Sequence, residues 1–484
     1  MEKQWTWCLA FLMVMVSVHS DAEVSLTQHM DDFISVVEQV ENRNAGLDPL
    51  AVLRGLRRAA GHTDEFIQHF LGTIKEDGIS EVPVMDSHVS DFIGRALLHS
   101  VTEKGREEGV VLTADGTTVA VSPVLLGIEA GLLPKARSHV RGWYPLTLAR
   151  NLGLSFQHYH RSVHSQRLGP DGCWDKVTSP QAFTLSDRPS FATDAMVNGG
   201  MDGMILGKKV SAQSRRPLKL SSLLRGYYCH RLDREGLDAA PRLISRLRRE
   251  NFRKLVRPSI LQKQVVKSLV VHQKLIHNTT MLSQEKKELT AVVKEGIKEF
   301  VQRYMECPAI IPRCHWGAEP YRGTPTLLSL PLSFMYIHHT YQPSQPCLSF
   351  QQCSADMRSM QRFHQDDRGW DDIGYSFVAG SDGYLYEGRG WHWRGAHTKG
   401  YNSKGYGVSF IGDYTSSLPS QQTMELVRDR LASCAVSGGR LTGNFTIHGH
   451  RQLVNTTCPG DALYSEITGW KHFGVRTQYL SINI

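Results

Sequence analysis

The chain has 484 residues, 41% hydrophobic and 21% charged, with a formal net charge of +8. That length allows about three domains of ordinary size, the composition excludes a disordered or collagen-like chain, and nine cysteines are too few for a mini-scaffold built on disulfides. The basic balance fits an anionic partner such as nucleic acid, a membrane surface or a bacterial wall, and says nothing about fold.

Lys3 and the apolar run from Trp5 to Val18, with Val18 and Ser20 at the small-residue positions, read as a secretory signal over residues 1–20. At about 14 residues the run is short of the roughly 20 needed to cross a bilayer. Val119 to Leu133 is the nearest later approach to a span, and Ser122, Pro123 and Glu129 interrupt it. A secreted, extracellular chain is expected to form disulfides and to carry glycans at its sequons, Asn278, Asn444 and Asn455.

Residues 21–305 read as mostly helical, with their partition unresolved. Asp31 to Val40 places Phe33, Val36, Val37 and Val40 on one side of a helix. Residues 110–235 show glycine, proline and serine punctuation and no clear period. His158, His160 and His164 have metal-compatible spacing but lack carboxylate or cysteine companions, so surface histidines are expected. Arg242 to Lys267 holds nine basic residues against Glu250. That run is either a solvated helical face or a contact for an anionic membrane or bacterial surface. Ser283 to Met305 is a clear helix, ended by Glu306-Cys307-Pro308 because the residue before proline resists helix.

Near residue 305 the chain changes character. Residues 306–484 hold 20 of the 42 glycines and five of the nine tryptophans, and 15 basic residues against 14 acidic leave a net +1. The other +7 lies in residues 1–305. The pattern from 306 onward alternates strands and helices: strand Phe334–Ile337, helix Ser354–Gln365, a hairpin of Tyr375–Val378 and Tyr384–Glu387, strand Gly407–Gly412, helix Gln421–Ala435 and strand Phe445–His448. Interleaved strands and helices argue an α/β domain with one main sheet.

His338 ends the first of these strands, His450 opens a loop, and Cys458 follows eight residues later. Two imidazoles and a thiolate suit zinc, and three protein ligands leave a fourth position open, which is the catalytic arrangement. Spacing alone is weak evidence for this, since Cys458 is as readable as half of a disulfide and a His so far upstream can arise by chance, and His448 is two residues from His450.

The surrounding residues carry more. The chain reads Tyr336-Ile-His-His-Thr340, Gly369-Trp-Asp-Asp-Ile-Gly-Tyr-Ser-Phe377, Gly383-Tyr-Leu-Tyr-Glu-Gly-Arg-Gly-Trp391, Gly395-Ala-His397, Gly449-His-Arg451 and Cys458-Pro-Gly460. In order and spacing these resemble the peptidoglycan recognition protein family, whose domain is similar to the phage-lysozyme-type zinc amidases. Within it, the long secreted members with an N-terminal extension are nearest in layout. The resemblance covers about residues 306–474. It implies a zinc amidase domain with a central mixed β-sheet flanked by helices, acting in innate immunity on the amide between N-acetylmuramic acid and L-alanine of bacterial peptidoglycan. Nucleic acid is then not an expected partner. The alternative is a peptidoglycan binder, pattern-recognising or bactericidal, that does not rely on hydrolysis.

The resemblance also implies roles. His338, His450 and Cys458 match the ligands of one zinc ion, and His339 a neighbour that is not a ligand. Tyr375 matches the catalytic tyrosine. Non-catalytic members carry serine where this chain has Cys458, so the chain looks like an active enzyme. Phage enzymes carry lysine where this chain has Thr456, which leaves open what assists the oxyanion. His364, Trp393, Arg394, His397 and Thr456 resemble substrate-groove positions. His392-Trp393 sits where lysine-type and diaminopimelate-type stem peptides are told apart and matches neither usual pair. Cys347 with Cys353 matches the family's small-loop disulfide, and Cys307 is expected to pair with Cys434. Cys173, Cys229 and Cys314 are left over.

Overall fold

The computed structural model describes residues 29–61, 65–71, 83–97, 106–113, 115–133, 146–161, 182–184, 194–212, 219–228 and 243–475. The signal segment, Cys173, Cys229 and His164 lie outside them, as do the side chains of His158, His160 and Cys314.

Helices dominate the first part. They include α1 (Met30–Arg43), α2 (Pro49–Ala59), α3 (Val121–Leu132), α4 (Leu146–Arg161), α5 (Asp194–Ala212), α6 (Leu220–Tyr228), α7 (Ile244–Leu255), α8 (Pro258–His277) and α9 (Ser283–Phe300). The expected amphipathic helix at Asp31–Val40 is α1, with Phe33, Val37 and Val40 in the core. Asp31 and Asp32 in its first turn and Arg43 in its last complement the helix dipole. A hairpin of β1 (Val110–Leu112) and β2 (Thr118–Ala120) leads into α3.

The segment nearest to a membrane span is α3, a buried core helix. Glu129 on it is buried and pairs with Arg54 at 3.3 Å and Arg57 at 2.9 Å. Among the described residues no helix is long and apolar enough to cross a membrane. Helices α3 and α5 touch backbone to backbone. A Cβ on Gly127 would lie 2.3 Å from the Gly203 carbonyl group, and one on Gly131 would lie 2.2 Å from the Gly207 oxygen. Glycine is what lets the two helices approach so closely.

Helix α9 runs into a wider π-turn, Val301–Glu306, and the chain enters the C-terminal domain at Cys307. Its sheet comprises β3 (Ile310–Ile311), β4 (Leu332–His339), β5 (Phe377–Ala379), β6 (Leu385–Glu387), β7 (Gly405–Phe410) and β8 (Leu441–Gly449). The spatial order is β8-β4-β7-β5-β6-β3, parallel except for the β5–β6 hairpin pair. Helices cover both faces, so β4 and β7 read as near-continuous apolar runs. On one face, Met335, Ile337, Val408 and Phe410 pack against Val427 and Leu431 and against α12 (Asp461–Thr468) through Leu463 and Ile467. On the other, Val378 and Tyr386 meet Met357 and Met360 of α10 (Phe350–Arg362; α11 is Gln421–Glu425). Both expected disulfides are present, Cys307–Cys434 and Cys347–Cys353.

The basic run Arg242–Lys267 spans α7 and α8, and part of it faces inward. Arg248 is buried and makes a two-pronged pair with Asp202 at 2.8 and 2.9 Å. Arg249 donates to the carbonyls of Arg303 (2.8 Å) and Cys307 (3.2 Å), and Arg253 to that of Met305. These three arginines tie the helical part to the domain entry, so the run is neither wholly a solvated helical face nor wholly available to a membrane or bacterial surface. Beside them Asp115, after β1, accepts from the Ser245 amide (2.9 Å) and from the Tyr384 hydroxyl of the β5–β6 turn. Burial opposes ionisation of Asp115, but Arg248 and the donors around it prevail and hold its carboxyl below the usual range.

Candidate active site

The register of three parallel strands sets the site. Gly449 of β8 pairs with Ile337 of β4, so His450, one residue on, lies beside His338. Ser409 of β7 pairs with His338 from the other side. The two imidazole rings are 4.4 Å apart. A loop then returns Cys458, its carbonyl accepting from the Arg451 amide at 2.9 Å. Cys458 Sγ stands 3.7 Å from His338 Nδ1. The donor atoms of His338, His450 and Cys458 all lie within 4.8 Å of one another, and among the described residues this is the group of histidine, cysteine and acidic side chains placed to hold a metal ion.

Strand alternation separates the neighbouring histidines. His339 points to the opposite side, where its Nδ1 accepts from the Tyr414 amide at 3.1 Å. His448 stacks on Phe334 with ring centres 5.7 Å apart. His450 rather than His448 is therefore the histidine beside His338.

The donor set fits a zinc ion. Burial lowers the pKa of His338 well below the usual value and pushes that of His450 to about 4, so both rings are neutral, as ligands must be. Burial pushes the Cys458 thiol up to about 12. A thiolate in so dry a place needs a strong local positive charge, and a divalent cation held between the three donors is such a charge.

The cleft around these donors measures about 310 Å³ and is lined also by Tyr375, His364, Trp370, His397 and Thr456. Tyr375, just before β5, stands with its ring 5.4 Å from His338 and 5.7 Å from His364. Burial raises its pKa, so the phenol keeps its proton. His364 is stacked on Trp370 at 4.7 Å, and burial pushes its pKa to about 4. Its Nδ1 accepts from the Gly374 amide at 3.3 Å, which puts the ring proton on Nε2. His397 is buried with a pKa pushed by burial to about 3.

Arg394 is exposed and lines a depression that shares Trp370 and Ala396 with the cleft, so the two are continuous. Trp393 is set apart, 38% exposed, on a cavity between α7 and the domain. Asn278, Asn444 and Asn455 are all exposed. Trp370, which lines the cleft, and Thr398, fully buried next to His397, have no site role in the sequence reading.

The domain's residues 328–461 match the family model described as N-acetylmuramoyl-L-alanine amidase. A curated Mus musculus protein of the same description is 40% identical over 97% of this chain and 99% of its own length. The chain belongs to the N-acetylmuramoyl-L-alanine amidase family. A Homo sapiens amidase is 42% identical over 78% of this chain and 77% of its own. Peptidoglycan-recognition protein 1 of Holotrichia diomphalia is 43% identical over 34% of this chain and 83% of its own. The solved structure of wild-type Drosophila PGRP-LB is 39% identical, covering 35% of this chain and 98% of its own, at a TM-score of 0.34. In this amidase, then, the sheet carries the cleft at the ends of β4 and β8, and the helical region packs at the β5–β6 turn.

Proposed function

We propose that this amidase is secreted, binds bacterial peptidoglycan in the cleft, and hydrolyses the amide between the lactyl group of N-acetylmuramic acid and L-alanine, with one zinc ion held by His338, His450 and Cys458. The observation that carries the reading is the convergence of those three donors beside a protonated Tyr375. A zinc ion in this position supplies Lewis acidity toward the amide carbonyl and lowers the pKa of water. The chain's own residues do the rest. Tyr375 donates its phenol proton in a hydrogen bond to the oxygen on which charge develops. His364, with its proton on Nε2, offers a second neutral donor across the cleft. Trp370 is an aromatic wall for the glycopeptide. Arg394, in the adjoining depression, offers a charged donor to a stem-peptide carboxylate. The exposed sequons fit glycosylation of a secreted chain.

Full-length protein incubated with a defined muramyl peptide tests this. The expected result is a new free amino group on L-alanine, stopped by a chelator and restored by zinc. Cleavage within the glycan or within the peptide, or cleavage indifferent to the chelator, would contradict it.

A further inference from the structure

His338 has two ring nitrogens, and the metal accounts for one. Nδ1 faces Cys458 Sγ; Nε2 faces Thr398 Oγ1 at 3.4 Å. Thr398 is fully buried, and its Oγ1 also lies 3.0 Å from His397 Nδ1. The segment is held from both ends. Asn402 Oδ1 accepts the amides of His397 (3.0 Å) and Thr398 (2.7 Å). The His397 ring is seated where a Cβ on Gly395 or Gly407 would come within 2.4 or 2.3 Å of it.

The metal reading sets the direction of the first of these hydrogen bonds. With Nδ1 as a ligand, Nε2 carries the ring proton, so Thr398 Oγ1 must accept. The hydroxyl's single proton is then available to His397 Nδ1, which accepts it in the tautomer that carries its own proton on Nε2. We propose that Thr398 is a positioning residue of the metal centre: its hydroxyl fixes the tautomer and ring plane of His338, and His397 fixes the hydroxyl. The proposal rests on the zinc reading above. Partners of this kind typically change metal affinity or activity by about 10–100-fold when removed.

The test uses full-length Thr398→Val, which keeps the shape and removes the hydroxyl, with Thr398→Ala as a second variant and Thr398→Ser as the rescue. Zinc affinity is measured on the folded fraction by competition with a chromophoric chelator, and the visible spectrum of the cobalt-loaded protein is recorded. Val and Ala are expected to bind zinc about 10–100-fold more weakly and to alter the cobalt spectrum, while Ser stays near wild type. A merely space-filling Thr398 would change metal-free melting and leave affinity and spectrum alone. Wild-type affinity in both Val and Ala would overturn the proposal while leaving the zinc reading intact. A wild-type protein that holds no zinc would overturn both.

Discussion

Replacing Cys458 by serine removes one ligand and one negative charge while adding almost no strain. Serine is close to cysteine in shape, and its hydroxyl stays protonated at neutral pH. The structure indicates the size of the effect. Three donors lie within 4.8 Å of one another and no fourth protein ligand joins them among the described residues, so each carries a large share of the binding. Zinc held by four protein ligands binds with about 10–16 kcal/mol, or roughly 2.5–4 kcal/mol for each ligand. Losing one share weakens affinity on the order of 10²–10³-fold. Metal-free stability should hardly move, because the contacts of Sγ with His338 Nδ1 and the His339 carbonyl are weak ones at 3.7 and 3.8 Å. The assay is zinc retained after dialysis, together with the rate of muramyl-peptide cleavage at rising free zinc. Cys458→Ser is expected to lose zinc and rate together and to melt like wild type when both are stripped of metal. If the variant kept zinc and full rate, the assignment of Cys458 as a ligand would be wrong.

Tyr375→Phe should retain zinc and lower kcat by about 10²–10³-fold, the usual result of removing one oxyanion donor; unchanged kcat in steady-state cleavage would contradict the role. Burial holds the Asp382 carboxyl up to about 6, above its unfolded value. The stability linked to that shift is therefore fully present below roughly pH 4 and lost as pH rises through about 6, by about 3 kcal/mol. Asp382→Asn should accordingly gain on wild type across that window in denaturant titrations, and a pH-independent difference would refute the sign. Tyr384→Phe removes one donor to the buried Asp115 and should cost about 1–3 kcal/mol in the same measurement, with the zinc site unaffected.

Much of the site was legible in the sequence and part of the fold was not, for physical reasons. His338, His450, Cys458 and Tyr375 sit in motifs whose residue types and order carry the chemistry. Their meeting in space depends on the pairing of Ile337 with Gly449, which no local pattern shows. Thr398 has no such motif. It reaches His338 across 60 residues through a loop, and a buried threonine looks like any other. In the helical region, α3 and α5 are buried nearly all round, so they lack the polar face that marks a helix in sequence. Their glycines read as turn punctuation, although in the fold they are contact points between helices. The basic run misleads in the same way, because the carbonyls that accept from Arg249 and Arg253 belong to a π-turn more than 50 residues further on. Between Phe334 and His448, by contrast, the strands and helices follow from short apolar runs between glycine-rich turns, whereas the two-residue β3 and the short α12 outside that range give no such run.

The central claim is that two imidazoles and one thiolate of this chain hold zinc. X-ray absorption at the zinc edge of the purified, zinc-loaded protein measures that directly. The expected first shell holds one sulfur at about 2.3 Å and two nitrogens at about 2.0–2.1 Å, with the sulfur gone in Cys458→Ser. A first shell of nitrogen and oxygen alone in the wild type would contradict it.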